Sequence, residues 1–540
     1  MGWNRLIILL AFTFISSAAA AQVNRYMVFF KDKAGTSYST NTPKAFLSQR
    51  AIDRRNQQGI AVVEQDLPVN SSYIQSVATT GASVFFPTRW MNGVLVQCDV
   101  SVLTAVQALS FVDHVELVAP NARLLANGRK KNSKAVKAQE APAKTQAQLQ
   151  LIGLDEMQEA GYKGENMLVA IFDGGFPGVN TAAPFHHIIQ ENRIDLVASR
   201  DFVGNTDNVF QYDEHGTEVF SIIAANQDGV FTGGSYEANY QLYVTEDTDS
   251  EYRIEEYNWL FAAERADSAG VDIVNSSLGY YDFDDATMNY AKKAMDGKTT
   301  VISQAAQWAA DRGMVIVCSA GNEGATAWQL ITAPADAKDV LAVASVTSGG
   351  SRSGSSSIGP SADGRIKPDV GAMGVSTSII RPDGTTSIAT GTSLSAPLIT
   401  SLAAGVWERY PKLSNKEVID VIRKSASQAK NPDNLLGYGI PNFKAVVNYI
   451  EQLPQEDTFE VYPNPVNHDT LTIRPFDPNQ VATCQLELLS AQGSVVFQGE
   501  TTFSWLNRAY TVNLAPVSSG YYFLRVTWGD KRFIYKLIKI

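Results

Sequence analysis

Four residues could do chemistry together. Ser393 stands in Gly391-Thr392-Ser393-Leu394-Ser395-Ala396-Pro397, directly before a small, apolar run at 398–407. That run predicts a buried helix entered through a tight, glycine-assisted turn, which places Ser393 at a helix N-terminus. The free N–H groups and positive dipole end there favour developing negative charge. A serine at a helix start most often serves as a cap, so it needs partners before it reads as a nucleophile. Asp173 ends an apolar run and precedes Gly174-Gly175, and His215 precedes Gly216-Thr217 and an apolar helix at 219–225. Histidine occurs only as His114, His186, His187, His215 and His468, and of these only His215 opens a helix straight after a charged loop. An aspartate, a histidine and a serine supply the orienting carboxylate, base and nucleophile of acyl transfer. Asn322, in Ser319-Ala320-Gly321-Asn322-Glu323-Gly324, follows the apolar run 315–318. Its side-chain amide could donate to a developing oxyanion, with the Ser393 N–H as second donor.

The elements that must position these groups are apolar strands at 167–172, 240–244, 271–275, 314–318 and 340–344, with helices at 257–269 and 302–312 between them. Continuous apolar strands alternating with helices indicate an α/β domain, here 148–453, with a mainly parallel sheet covered on both faces. Ligands of such sheets bind beyond the carboxyl ends of the strands, where Asp173 and Asn322 fall. Before this domain, strands at 25–30, 92–98 and 114–118 and helices at 42–55 and 103–109 give a small α+β unit spanning 22–120. The stretch 121–147 is rich in Ala, Lys, Gln and Asn and lacks aromatics, as an exposed, cleavable linker would. From 461 onward, short alternating strands broken by Gly, Asn and Pro indicate a β-sandwich to residue 540.

The first residues read as an export signal: Arg5, an apolar stretch at 6–15, then Ser16-Ser17 and four alanines, with cleavage near Ala20 or Ala21. An uncleaved anchor is the alternative. No later segment reaches the 18 or so uncharged apolar residues of a membrane span. The net charge of -11 argues against nucleic acid as a partner. Cys98, Cys318 and Cys484 fall in three different units, so a disulfide framework is not expected.

Ile171-Phe172-Asp173-Gly174-Gly175, His215-Gly216-Thr217, Ala320-Gly321-Asn322-Glu323-Gly324 and Gly391 to Pro397 resemble, in that order, the four signature blocks of the subtilisin-like serine proteases. The resemblance covers roughly 150–450 and implies a three-layer catalytic domain and a secreted endopeptidase. In it Asp173, His215 and Ser393 would be the triad and Asn322 the oxyanion donor. It also implies that Ser277-Leu278-Gly279 pairs with an extended peptide. Gly174 replaces the usual Ser or Thr, and Glu218 stands where a second His is frequent. Neither change removes a catalytic group. The 22–120 unit resembles the family's inhibitory propeptides, which implies a zymogen cut within 121–147. Val461-Tyr462-Pro463-Asn464-Pro465, Ser490-Ala491-Gln492-Gly493 and Tyr535-Lys536-Leu537-Ile538-Lys539-Ile540 look like a type IX secretion sorting domain. That implies passage across a Gram-negative outer membrane by type IX machinery; a carbohydrate-binding or adhesive module is the alternative. Polypeptides would be the substrates. A catalytically inactive, surface-binding member of the same fold is the competing reading, and a peptidase tuned to one processing target is a third.

Glu246-Asp247-Thr248-Asp249-Ser250-Glu251, with Glu255 and Glu256 beyond, could hold a cation or form an acidic subsite for basic side chains; a solvated loop is the favoured reading. No cofactor is required, structural calcium has no support in ligand spacing, and no metal ligand is assigned. Adding a calcium chelator is therefore expected to leave activity and melting temperature unchanged. A large drop in either, measured side by side, would reverse this.

Overall fold

A computed structural model of the chain describes residues 23–120, 139–140, 145–452, 459–475, 482–504, 507, 509–529 and 531–540. The expected export signal and most of the 121–147 linker lie outside the described residues. The chain divides into two units, residues up to Val447 and residues from Asn448. Among the described residues no helix is long and apolar enough to cross a membrane.

The first unit is built on a parallel sheet in the order Val370–Met373, Val340–Val346, Val315–Ser319, Ile273–Ser276, Leu168–Asp173, Asn239–Val244 and Arg200–Asp201. Its central strands are buried on both faces, as their unbroken apolar sequences require. The chain leaves Leu168–Asp173 for the strand on one side, Asn239–Val244, and returns on the other with Ile273–Ser276. This reversal opens a crevice at the carboxyl ends, where Asp173, Glu246 and Ser277 stand. The helix Thr392–Arg409 is buried along nearly its whole length. It behaves as a core rod rather than an amphipathic surface helix.

The N-terminal residues form an antiparallel sheet in the order Ser83–Thr88, Gly93–Cys98, Asn24–Phe30 and Val112–Ala119. Strand alternation explains why Asn24–Phe30 is buried throughout. Tyr26, Val28 and Phe30 pack with Val77 and Val106 of the sheet's own helices. Met27 and Phe29 instead join Tyr257 and Phe261 of the helix Ile254–Ala269. The expected helix at 42–55 is two pieces: a 3-10 turn, Pro43–Ala45, and the helix Gln49–Gln57, whose N-cap Ser48 accepts from the Ala51 N–H. The helix Ser71–Thr79 and the strand Ser83–Thr88 were not expected; Pro87 inside the strand masks its pattern.

Charge ties this sheet to the rest of the unit. Asp267, fully buried on Ile254–Ala269, takes Arg54 at 2.6 Å, Arg55 at 2.8 Å and Arg89 at 2.6 Å. Glu264, one turn earlier, accepts from Thr88 Oγ1 and from the backbone N–H groups of Arg89 and Trp90. Asp66 bridges Arg55 and Arg312. Burial pushes the Asp66 carboxyl up, but Arg312 and Arg55 more than offset this and hold it at about 2.

The second unit holds one three-stranded and one four-stranded antiparallel sheet sharing a core that includes Phe459, Leu471, Leu486, Phe503 and Leu524. The unit opens with a strand, Phe459–Tyr462, two residues before the alternating pattern expected from 461.

Removing one member of a buried charge cluster leaves the others unpaired, which typically costs about 3–5 kcal/mol. Asp267→Ala is therefore expected to destabilise the uncut chain by about that much, read from denaturant unfolding in a Ser393→Ala background. A loss under about 1 kcal/mol, the range of surface pairs, would show the cluster to be incidental.

Candidate active site

Asp173, His215, Ser277, Leu278, Gly279, Asn322 and Ser393 all line one cleft of about 560 Å³. The sequence-derived residues, spread over more than two hundred positions, are thus brought together in one place.

Asp173 is the last residue of Leu168–Asp173 and is 1% exposed. His215 opens the helix His215–Ala224. Its Nδ1 lies 2.9 and 3.1 Å from the two Asp173 carboxylate oxygens. The approach depends on glycines. A Cβ on Gly216 would stand 2.2 Å from the Gly175 carbonyl oxygen and 3.0 Å from Asp173 Cβ. Gly175 itself adopts φ +148, a conformation that favours glycine. The Gly174 N–H donates to Asp173 Oδ1 at 2.8 Å.

Burial pulls the His215 imidazole down, but the Asp173 charge and hydrogen bond, then Glu218 and Asp213, outweigh it and hold the ring above its ordinary value. Glu218, 5% exposed, is pushed up to about 7 by burial. Asp213, also raised by burial, accepts from the His215 N–H at 2.8 Å and so fixes the helix start. This aspartate two residues before the helix is a recognisable turn signal that sequence reasoning passed over.

Ser393 is one residue inside the helix Thr392–Arg409. The Asn322 side-chain oxygen accepts from Thr392 N at 3.0 Å and Thr392 Oγ1 at 3.1 Å, which leaves the amide NH₂ for the cleft. Ser277 Oγ donates to the Ser393 carbonyl at 2.8 Å and accepts from Asn275 Nδ2 at 3.1 Å. Thr400 Oγ1 in turn donates to Asn275 Oδ1 at 2.9 Å. This run of hydrogen bonds locks the Ser277–Gly279 segment to the serine's helix, a link invisible in the sequence. Among the described residues no hydrogen bond joins His215 to Ser393; nucleophile–base contacts are often long in a free enzyme and tighten around substrate.

The acidic run is a partly exposed loop, as its composition suggests, and it also borders the cleft. Glu246, Asp247, Thr248, Asp249, Ser250 and Glu251 form one wall of the cleft. The Tyr280 hydroxyl donates to Glu246, and burial, then the Glu251 charge, pushes that carboxyl up to about 8. Among the described residues no group of three or more His, Cys, Asp or Glu is placed to hold a metal ion. Cys98, Cys318 and Cys484 are buried, and among the described residues none of them forms a disulfide.

Because the Glu218 carboxylate favours the imidazolium, Glu218→Gln is expected to lower the His215 pKa, by about half a unit to one unit. NMR titration of the imidazole in Ser393→Ala protein measures this. The wild-type value should lie above 6.5, and an unchanged value in Glu218→Gln would show that Glu218 does not act on the ring.

Residues 164–439, just over half of the chain, match the subtilase family, peptidase S8. Residues 25–138 match the Bacteroidota peptidase S8 propeptide domain, and residues 460–540 a secretion system C-terminal sorting domain. Subtilisin DY of Bacillus licheniformis is 29% identical over 280 residues, covering 51% of this chain and 89% of that protein. Subtilisin E of Bacillus subtilis is 29% identical over 294 residues, covering 54% of this chain and 68% of that protein. The solved structure of an epidermin leader peptide processing serine protease from Staphylococcus aureus shares the fold, with a TM-score of 0.55 and 14% identity over 80% of this chain and 99% of that one. The sorting-domain match marks the protein as secreted or displayed at the cell surface. The chain belongs to the subtilase family of serine proteases, with a propeptide domain before the protease and a sorting domain after it.

Proposed function

We propose that the chain is made as a zymogen and, once processed, hydrolyses peptide bonds through Ser393, His215 and Asp173. The observation that carries this is the His215 Nδ1 contact with buried Asp173, in the same cleft as Ser393 and Asn322. Ser393 Oγ attacks the peptide carbonyl carbon while His215 takes its proton. The tetrahedral oxyanion receives hydrogen bonds from the Asn322 amide and the Ser393 N–H, which the helix leaves without a partner at its first turn. The intermediate collapses as His215 returns the proton to the departing amine. Water then repeats the sequence on the acyl-enzyme. Asp173 holds the imidazole in the right tautomer and stabilises its charged form. The substrate lies extended along Ser277 to Gly279, main chain to main chain.

The same reading gives the N-terminal sheet its role. Glu116, on its last strand, accepts from Arg253 Nη1 and Tyr257 Oη at the start of the helix Ile254–Ala269, next to the acidic wall. The last strand of the propeptide domain is thereby fixed to the helix that follows the acidic wall, and the linker after it would be the segment cut on activation. The competing reading, an inactive surface binder, would leave this constellation without a use.

Self-cutting is testable. Ser393→Ala is expected to accumulate as the uncut precursor, with the 25–138 region still attached when mature termini are mapped by mass spectrometry. Processing at the wild-type position and rate would assign the cut to another protease.

A further inference from the structure

Thr332 is 3% exposed, yet its Oγ1 has no hydrogen-bond partner. Buried hydroxyls are normally paired, so an unpaired one calls for an explanation. Its position supplies one. The Thr332 N–H donates to the Ala320 carbonyl at 3.2 Å, and the next residue, Ala333, exchanges two backbone hydrogen bonds with Tyr280. Thr332 is thereby held between two cleft segments, Ser277 to Tyr280 on one side and Ala320 to Asn322 on the other. Both segments present a glycine to it. A Cβ on Gly279 would stand 2.1 Å from Thr332 Oγ1, and one on Gly321 would stand 2.9 Å from it. Two walls bare of side chains would leave a slot, and the threonine side chain fills that slot.

The inference rests on the hydrolase reading above. A peptide extended along Ser277 to Gly279 puts its side chains alternately on opposite sides. Ser277 is the residue bonded to Ser393, so the substrate residue whose carbonyl reaches Ser393 and Asn322 would lie at this end of the segment, with its side chain directed between the two glycine-bearing segments. We propose that Thr332 closes this slot and restricts the residue that donates the scissile carbonyl to glycine, alanine or serine. Just beyond the two segments, Tyr281 stacks on Trp328 at 4.3 Å and donates to Glu323, which ties the segments to each other. A serine hydroxyl entering the slot would also give Thr332 Oγ1 the partner it lacks, which favours serine over alanine of similar size.

The test uses full-length protein after processing and a peptide library varied only at the residue before the cut. Glycine, alanine and serine should be cleaved with kcat/KM at least about tenfold above leucine, phenylalanine and lysine, the scale on which pocket volume discriminates. Thr332→Gly should raise leucine or phenylalanine by at least about tenfold. Thr332→Val keeps the shape without the hydroxyl; it should still exclude large residues but lose the advantage of serine over alanine. A wild-type preference for large residues, or an active Thr332→Gly protein with an unchanged profile, overturns the inference alone. If Thr332→Gly does not fold, the wild-type and Thr332→Val profiles decide. No cleavage of any member by wild-type protein overturns the hydrolase reading itself.

Discussion

The site depends on one buried charge. Asp173 sits at the end of a central parallel strand with almost no access to water, where an unpaired carboxylate would be prohibitively costly. His215 and the Gly174 N–H are its partners. To keep them, the helix His215–Ala224 must approach the strand end closely, which only the Gly175–Gly216 contact allows. The same pairing raises the imidazole's affinity for a proton and fixes which nitrogen faces the carboxylate. Stability and chemistry thus ask the same thing of these residues.

A second set of buried charges works differently. Arg54, Arg55 and Arg89 of the propeptide domain converge on Asp267, which belongs to the protease sheet's covering helix. Most of their guanidinium groups are out of solvent, so the contact resembles a protein interior more than a transient interface. The packing of Met27 and Phe29 beside Tyr257 and Phe261 adds an apolar component. A domain bound this way stays docked on the protease for as long as these buried pairs hold. Without it, Asp267 and Glu264 would lose these donors.

Much of this is legible in the sequence itself. The parallel strands, the crevice at their carboxyl ends and the four motif blocks are local signals, because each follows from a run of adjacent residues. What was missed depends on contacts distant in sequence. Arg54 and Arg55 look like ordinary solvated helix charges until Asp267, more than two hundred residues away, turns them inward. The acidic run reads as a loop on composition, and only the fold makes it a cleft wall beside His215. Thr332 carries no motif; its meaning comes from Gly279 and Gly321 on either side. The strand Ser83–Thr88 was hidden by its proline.

The central claim is that Ser393 is a nucleophile made reactive by His215 held on Asp173. The most direct measurement is the rate at which a fluorophosphonate labels processed protein, with the adduct located by mass spectrometry. The account expects a single adduct, on Ser393, that forms on the order of 10³–10⁴ times more slowly in Asp173→Asn brought to the same mature termini by an added protease, where the imidazole loses its orienting carboxylate. No adduct on Ser393, or labelling of Asp173→Asn at the wild-type rate, would contradict it.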